Sequence, residues 1–163
     1  MKGDVMRGAV AWGGTFQIII ETPEGPGKRR VINLKNLITD AGLNYLAQLL
    51  NGVINAPTEI RYFAFGTSNV APAATDIKLG NEVFRKVVTK QERPGTGQLV
   101  TTVFVASYEL VGTAVAEIGI FAGPTATATA NSGVMLARVL YSRTKTALES
   151  WQVQRTDTIQ RAP

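Results

Sequence analysis

The side chains in this sequence whose type and spacing could carry out a reaction are its carboxylates. Histidine and cysteine are absent from all 163 residues. That removes the commonest general base, thiolate nucleophiles, disulfides and the usual ligands of transition metals. The serines have no histidine to activate them, so acyl transfer lacks a base. Glycoside hydrolysis survives, because it needs only two carboxyl groups. The candidate pairs are Asp76 with Glu82 and Glu109 with Glu117. Each acid also has a plainer role. Thr75 and Asp76 stand where they would cap a helical turn. Glu82 lies three residues before Arg85, placed to hold that guanidinium or a loop amide. Glu109 and Glu117 flank a strand break and read as surface charge. A Ca²⁺ site on Asp76 lacks the D-x-D-x-D-G spacing, and no glycine-rich phosphate loop occurs. The sequence therefore predicts a protein that is not an enzyme, with no catalytic residue, metal or cofactor.

Two of these four acids, Asp76 and Glu82, belong to the stretch Glu59–Lys90, around which the chain is organised. Ile60, Tyr62 and Ala64 alternate with Arg61, Phe63 and Phe65, the pattern of a strand. Gly66 ends it, and small residues with Asn69 and Pro72 make a loop as far as Thr75. A single helical turn over Ile77–Leu79 and a second strand over Val83–Lys90 complete the unit. Pro72 and the cap that follows predict an ordered loop.

The flanking segments read as further strands and one helix. Residues 1–14 read as an N-terminal arm or a loose first strand, and residues 15–163 as a single β-rich domain. Trp12 is the arm's one large side chain and its expected anchor on a neighbour. Phe16–Thr22 and Val31–Lys35 predict a hairpin, with Lys28, Arg29 and Arg30 at its charged turn. Thr39 or Asp40 caps a helix in which Leu43, Leu46, Ala47 and Leu50 make an apolar stripe, read as core-facing. Gly52 ends that helix. Leu99–Leu110, Val115–Phe121, Gly133–Tyr141 and Trp151–Ile159 read as strands. Pro124–Ser132, rich in Thr and Ala, reads as a mobile tip. The fold class predicted is mainly β, an antiparallel β-sandwich or flattened barrel with one short capping α-helix.

Composition narrows the function classes. Hydrophobic residues make up 45% of the chain and charged residues 18%, a share low enough to suggest surface covered by a partner. The excess of 17 Lys+Arg over 12 Asp+Glu gives +5, but the basic residues are scattered. No basic stripe interleaved with aromatics is present, so nucleic-acid binding is not expected. No apolar run long enough to serve as a signal peptide or membrane span is present, so a soluble, cytoplasm-made protein is expected.

Phe65-Gly66-Thr67-Ser68, the Pro- and Ala-rich loop, and Thr75-Asp76-Ile77-Lys78-Leu79-Gly80-Asn81-Glu82-Val83-Phe84-Arg85-Lys86 resemble a segment of small structural proteins of tailed bacteriophages. There a strand ending F/L-G-T-G precedes T-D-x-x-L-x-N-E-x-x-R-K; Ser68 stands in place of the last glycine. Asn36–Leu43 is similar to the N-x-I-T-D-x-G-L helix start of those proteins. Ala116–Phe121 and Gly133–Arg138 are similar to their E-x-G-L/I-F and G-x-M-L/F-A-R strands. The resemblance covers roughly residues 36–159 and implies a non-enzymatic virion component. Such a protein attaches to tail, baseplate, fibre or capsid through contacts with other virion proteins. It would work as a homo-oligomer or in many copies, with Trp12, Arg29 and Arg30 as candidate contacts. The alternative is a carbohydrate-binding receptor-recognition module of the tail. Against it, the loops Asn69–Asp76 and Pro124–Ser132 hold no aromatic residue.

Overall fold

Alternating β-branched and aromatic residues build two antiparallel sheets that bury their facing sides against each other. The computed structural model describes residues 9–23, 29–54 and 56–162. In chain order the elements are β1 (Val10–Glu21), β2 (Arg30–Lys35), β3 (Leu37–Ile38), α1 (Asp40–Leu50), β4 (Ile60–Gly66), β5 (Glu82–Val87), β6 (Lys90–Glu92), β7 (Gln98–Val105), β8 (Ala114–Ala122), β9 (Val134–Thr144) and β10 (Ser150–Arg161). One five-stranded sheet runs β2-β1-β10-β7-β6, the other β3-β9-β8-β4-β5. The architecture is a β-sandwich. No described helix is long and apolar enough to cross a membrane.

The core lies between the sheets. Phe16, Ile18, Ile20, Val103, Trp151 and Val153 from the first sheet meet Phe63, Phe65, Ile118 and Ile120 from the second, all nearly or fully buried. Phe16 and Phe63 join the layers edge to face, with centroids 6.1 Å apart and ring planes at 90°. Each fully buried side chain of this size contributes about 1.5–3 kcal/mol. The expected hairpin forms, with Ile18 opposite Ile32.

Four local expectations change. The first concerns the arm. Residues 1–8 lie outside the described residues, but Val10–Gly14 form the start of β1, paired with β10 from Val10↔Arg161 to Gly14↔Asp157. Of the two readings of this segment, an arm or a loose first strand, Val10–Gly14 take the second, so the sheet begins before residue 15.

The second concerns α1. Thr39 caps it as expected, accepting the Gly42 N–H at 3.0 Å and donating to the Met135 carbonyl. Its buried residues, however, are Gly42 and Tyr45. A Cβ at Gly42 would lie 2.6 Å from the Leu136 carbonyl oxygen, so glycine lets the helix lie directly on β9. Tyr45 donates its hydroxyl to the Thr58 carbonyl at 2.6 Å. Leu43 and Leu50 are left 51% and 84% exposed.

Two more segments differ. No helical turn forms over residues 77–79. Instead Asp76 closes a turn on Ala73, taking the Ala73 N–H on its carboxylate at 2.9 Å while its own N–H reaches the Ala73 carbonyl. β7 stops at Val105, because the Glu109 carboxylate binds the Ala106 N–H at 2.8 Å and the chain turns through positive φ at Leu110 and Gly112.

Candidate functional site

The outer face of the second sheet is roofed by the two long loops, residues 67–81 and 123–133. Beneath them Ala64, Leu79, Phe121, Ala126 and Met135 form a second apolar cluster. Two ion pairs hold the roof. Glu117 on β8 and Arg138 on β9 are diagonal neighbours, since Gly119 stands opposite Arg138 and Glu117 opposite Leu140. Glu117 is fully buried, not the surface charge expected. Its carboxylate accepts Arg138 Nε at 2.8 Å and the backbone N–H groups of Ser68, Gly80 and Asn81 at 3.3, 3.0 and 2.8 Å. Arg138 continues outward, donating to Asp76 at 2.7 Å and to the Val70 carbonyl at 2.9 Å. Gly66 makes this approach possible: a Cβ there would strike Glu117 and the Asn81 carbonyl.

The second pair does the same for the other loop. Arg85 forks onto Glu82 at 2.7 and 3.0 Å, as the spacing in the sequence suggested. Glu82 also takes the Asn131 N–H at 2.8 Å, while Arg85 donates to the Ser132 carbonyl at 2.7 Å and the Thr127 carbonyl at 3.1 Å. The guanidinium lies 4.2 Å from the centre of the Phe121 ring, a cation–π contact. Pro124–Ser132, expected as a mobile tip, is thus tied down by partners more than 35 residues away in sequence.

These contacts redistribute the candidate acids. Asp76 and Glu117 are brought together through Arg138, whereas Asp76–Glu82 and Glu109–Glu117 are not joined by any common hydrogen-bond partner among the described residues. Burial alone would push the Asp76 carboxyl up; the Ala73 N–H and Arg138 outweigh it and hold the group below its ordinary value. Glu109 is held low in the same way, burial being outweighed by Lys86 at 2.5 Å and the Ala106 N–H. Of a glycosidase's two carboxyls the general acid needs the opposite, a raised pKa, so neither Asp76 nor Glu109 fits that one role, whereas the ionised partner is not so constrained. Among the described residues no three acidic side chains gather where they could hold a metal.

Contrary to the expectation that no Ser-x-x-Lys occurs in the chain, Ser142-Arg143-Thr144-Lys145 is one. It lies at the end of β9, where positions three apart point to opposite faces. Ser142 is exposed, whereas Lys145 is buried and donates to the Ser107 carbonyl at 2.9 Å. The two do not form a nucleophile and its base.

A third buried pair lies inside the sandwich. Arg155 is wholly buried and donates Nε to Asp157 at 3.0 and 2.9 Å. Burial pushes the Arg155 pKa down, opposed by the Asp157 charge. Trp12 donates its indole N–H to the same carboxylate at 2.8 Å. Trp12, Asp157, Leu99 and Ile159 then form one wall of a cavity of about 810 Å³ at the end of the sandwich. Ile60 and Leu136 form the facing wall, and Tyr45, Leu46 and Leu49 of α1 close its side. Arg29 and Arg30, the other expected contacts, are exposed at the far end of β1, where Arg30 pairs with Ile20. Eight residues of strand, roughly 26 Å, separate that end from Trp12, so the structure does not bring the three together.

Compared with known protein families, curated proteins and solved structures, the chain matches none.

Proposed function

We propose that this chain is a non-catalytic assembly domain of a tailed-phage virion. It would be carried on the tail, baseplate, fibre or capsid and held there by contacts with other virion proteins. One observation supports this reading above the rest. The separated sequence pieces that resemble phage structural proteins meet in space around Glu117 and Arg138. Asp76, Gly80 and Asn81 come from the first piece, Glu117 from the second and Arg138 from the third. Thr39 and Asp40, from the helix-start piece, fasten to Leu136 and Ala74 of the same assembly. The motif residues thus do architectural work, fixing long loops on a rigid sheet, and their acids are held by guanidinium groups and loop amides.

The test is mass spectrometry of purified particles encoded by the genome that carries this sequence. The proposal expects the chain in the particle at a fixed copy number, and its absence from particles would contradict it. A glycan-reading module is the competing proposal, favoured by the placement of Trp12 and Tyr45 in the wall of the end cavity. Binding of host-surface glycans by the purified protein, lost in Trp12→Ala, would support that reading instead.

A further inference from the structure

We infer that the end of the sandwich bearing Trp12 is the interface between two copies of this chain. The first observation is an edge that no described residue pairs with. β2 pairs with β1 only along Thr15–Ile20. Val10–Gly14 pair with β10 on one side and, among the described residues, with no strand on the other. Unpaired edges recruit other strands, and proteins blunt them with charge, proline or brevity. The other described edges are blunted: β2 carries Arg30 and Lys35, β5 carries the partly exposed Lys86, β6 reads Lys-Gln-Glu, and β3 has two residues. Val10-Ala11-Trp12-Gly13-Gly14 has no charge and no proline.

The second observation is independent. The apolar stripe of α1, spaced for burial, lies outside this chain's core, with Leu43 and Leu50 exposed and Val53 66% exposed just beyond. The edge and the stripe are continuous. A trough of about 690 Å³ beside the edge is lined by Trp12, Gly13 and Gly14, by Leu37 and Leu43, and by polar neighbours that include a single charge, Lys35. The end cavity joins Trp12 to Leu46 and Leu49.

A second copy is the occupant that this surface fits. Asp40, at the first position, is the one charged residue of α1. A twofold axis would set Val10–Gly14 antiparallel to itself and one leucine stripe against the other, with no like charges opposed at the centre. Homodimer interfaces are more apolar than the rest of a protein surface and carry their charges at the rim, as Glu59, Arg93 and Lys35 would here. The inference deepens the assembly reading by naming one partner and its surface. The two fail separately: absence from particles sinks the function and leaves this interface standing.

The experiment is sedimentation equilibrium of the full chain from low to high micromolar concentration. Wild type should be dimeric. Leu50→Glu should weaken self-association more than about tenfold by burying a charge. Gly13→Lys should do so through like charges across the edge; no atom lies within 4 Å of a Cβ built at Gly13, so the change fits its own chain. Circular dichroism should show both variants folded, and an equimolar mixture of Gly13→Lys with Gly13→Glu should recover the dimer. Val87→Glu, at an exposed position on β5, should leave association unchanged. A monomeric wild type, or a dimer indifferent to both Leu50→Glu and Gly13→Lys, would overturn the inference.

Discussion

The Trp12 indole N–H and the Asp157 carboxylate are joined by a 2.8 Å hydrogen bond, which ties the first strand of the chain to the last. The bond makes the N-terminal strand part of the fold. Trp12 lies over Arg155, whose guanidinium is 5.9 Å from the ring centre, and packs against the core between the sheets. Trp12→Ala is therefore expected to destabilise the isolated domain by about 2–4 kcal/mol, from lost burial and a lost hydrogen bond. Trp12→Phe should cost about 1 kcal/mol, because the carboxylate keeps Arg155. Urea unfolding measures both. A midpoint unmoved by Trp12→Ala would show that the residue is free of its own sheet.

Glu82 and Arg85 should control the loop over residues 123–133 without controlling the fold. Glu82→Ala removes the acceptor of the Asn131 N–H and one side of the fork onto Arg85. The expected loss is about 1–3 kcal/mol. Limited proteolysis should reveal a new cleavage site within the loop, while the core strands stay protected. An unchanged digestion pattern would mean that the loop holds itself in place.

The acid side of the stability profile follows from three carboxyls held low in the folded state. Burial opposes each shift. It is outweighed at Asp76 by the Ala73 N–H and Arg138, at Glu109 by Lys86 and the Ala106 N–H, and at Glu149 by Arg143 and the Trp151 indole. A group with a depressed folded pKa stabilises the fold above its unfolded pKa, and that contribution is lost as pH falls through the folded value. Unfolded carboxyls titrate at about pH 4, so stability should be level above about pH 5 and fall progressively below it. With no histidine, nothing with an ordinary pKa titrates between about pH 5 and 7. Melting temperature against pH checks this. A step between about pH 6 and 7, or a curve still level at about pH 3, would contradict the assignment.

Much of this fold is legible in the sequence, and particular residues show where legibility stops. Period-two alternation marks β4, β8, β9 and β10, and Thr39 announces the helix. Glu82 and Arg85, three apart, announce their own pairing. Alternation does not say which strand face a distant loop will cover, so Glu117 reads as surface charge although it is buried. The leucine stripe of α1 suggests one buried face, but helix packing follows the closest approach, and Gly42 against Leu136 permits the tightest. Gly42 with Tyr45 three residues on was the available signal. Gly13 and Gly14 hid the start of β1 because glycine has low strand propensity, which pairing with β10 overrides. The Thr- and Ala-rich tip reads as unable to order itself. What orders it is Arg85, 42 residues from Thr127 and 47 from Ser132.

The central claim is that Glu117 and Arg138 fasten the long loop to the sheet. Amide hydrogen exchange on wild type and Glu117→Gln tests it most directly. Replacing one member of a buried pair should cost about 3–5 kcal/mol, since Arg138 is left without its inner partner. In wild type the Ser68, Gly80 and Asn81 amides should exchange as slowly as those of the strands beneath them. In the variant they should lose that protection first, ahead of β4 and β8. Fast exchange at Gly80 and Asn81 in wild type, or a variant as stable and as protected as wild type, would contradict it.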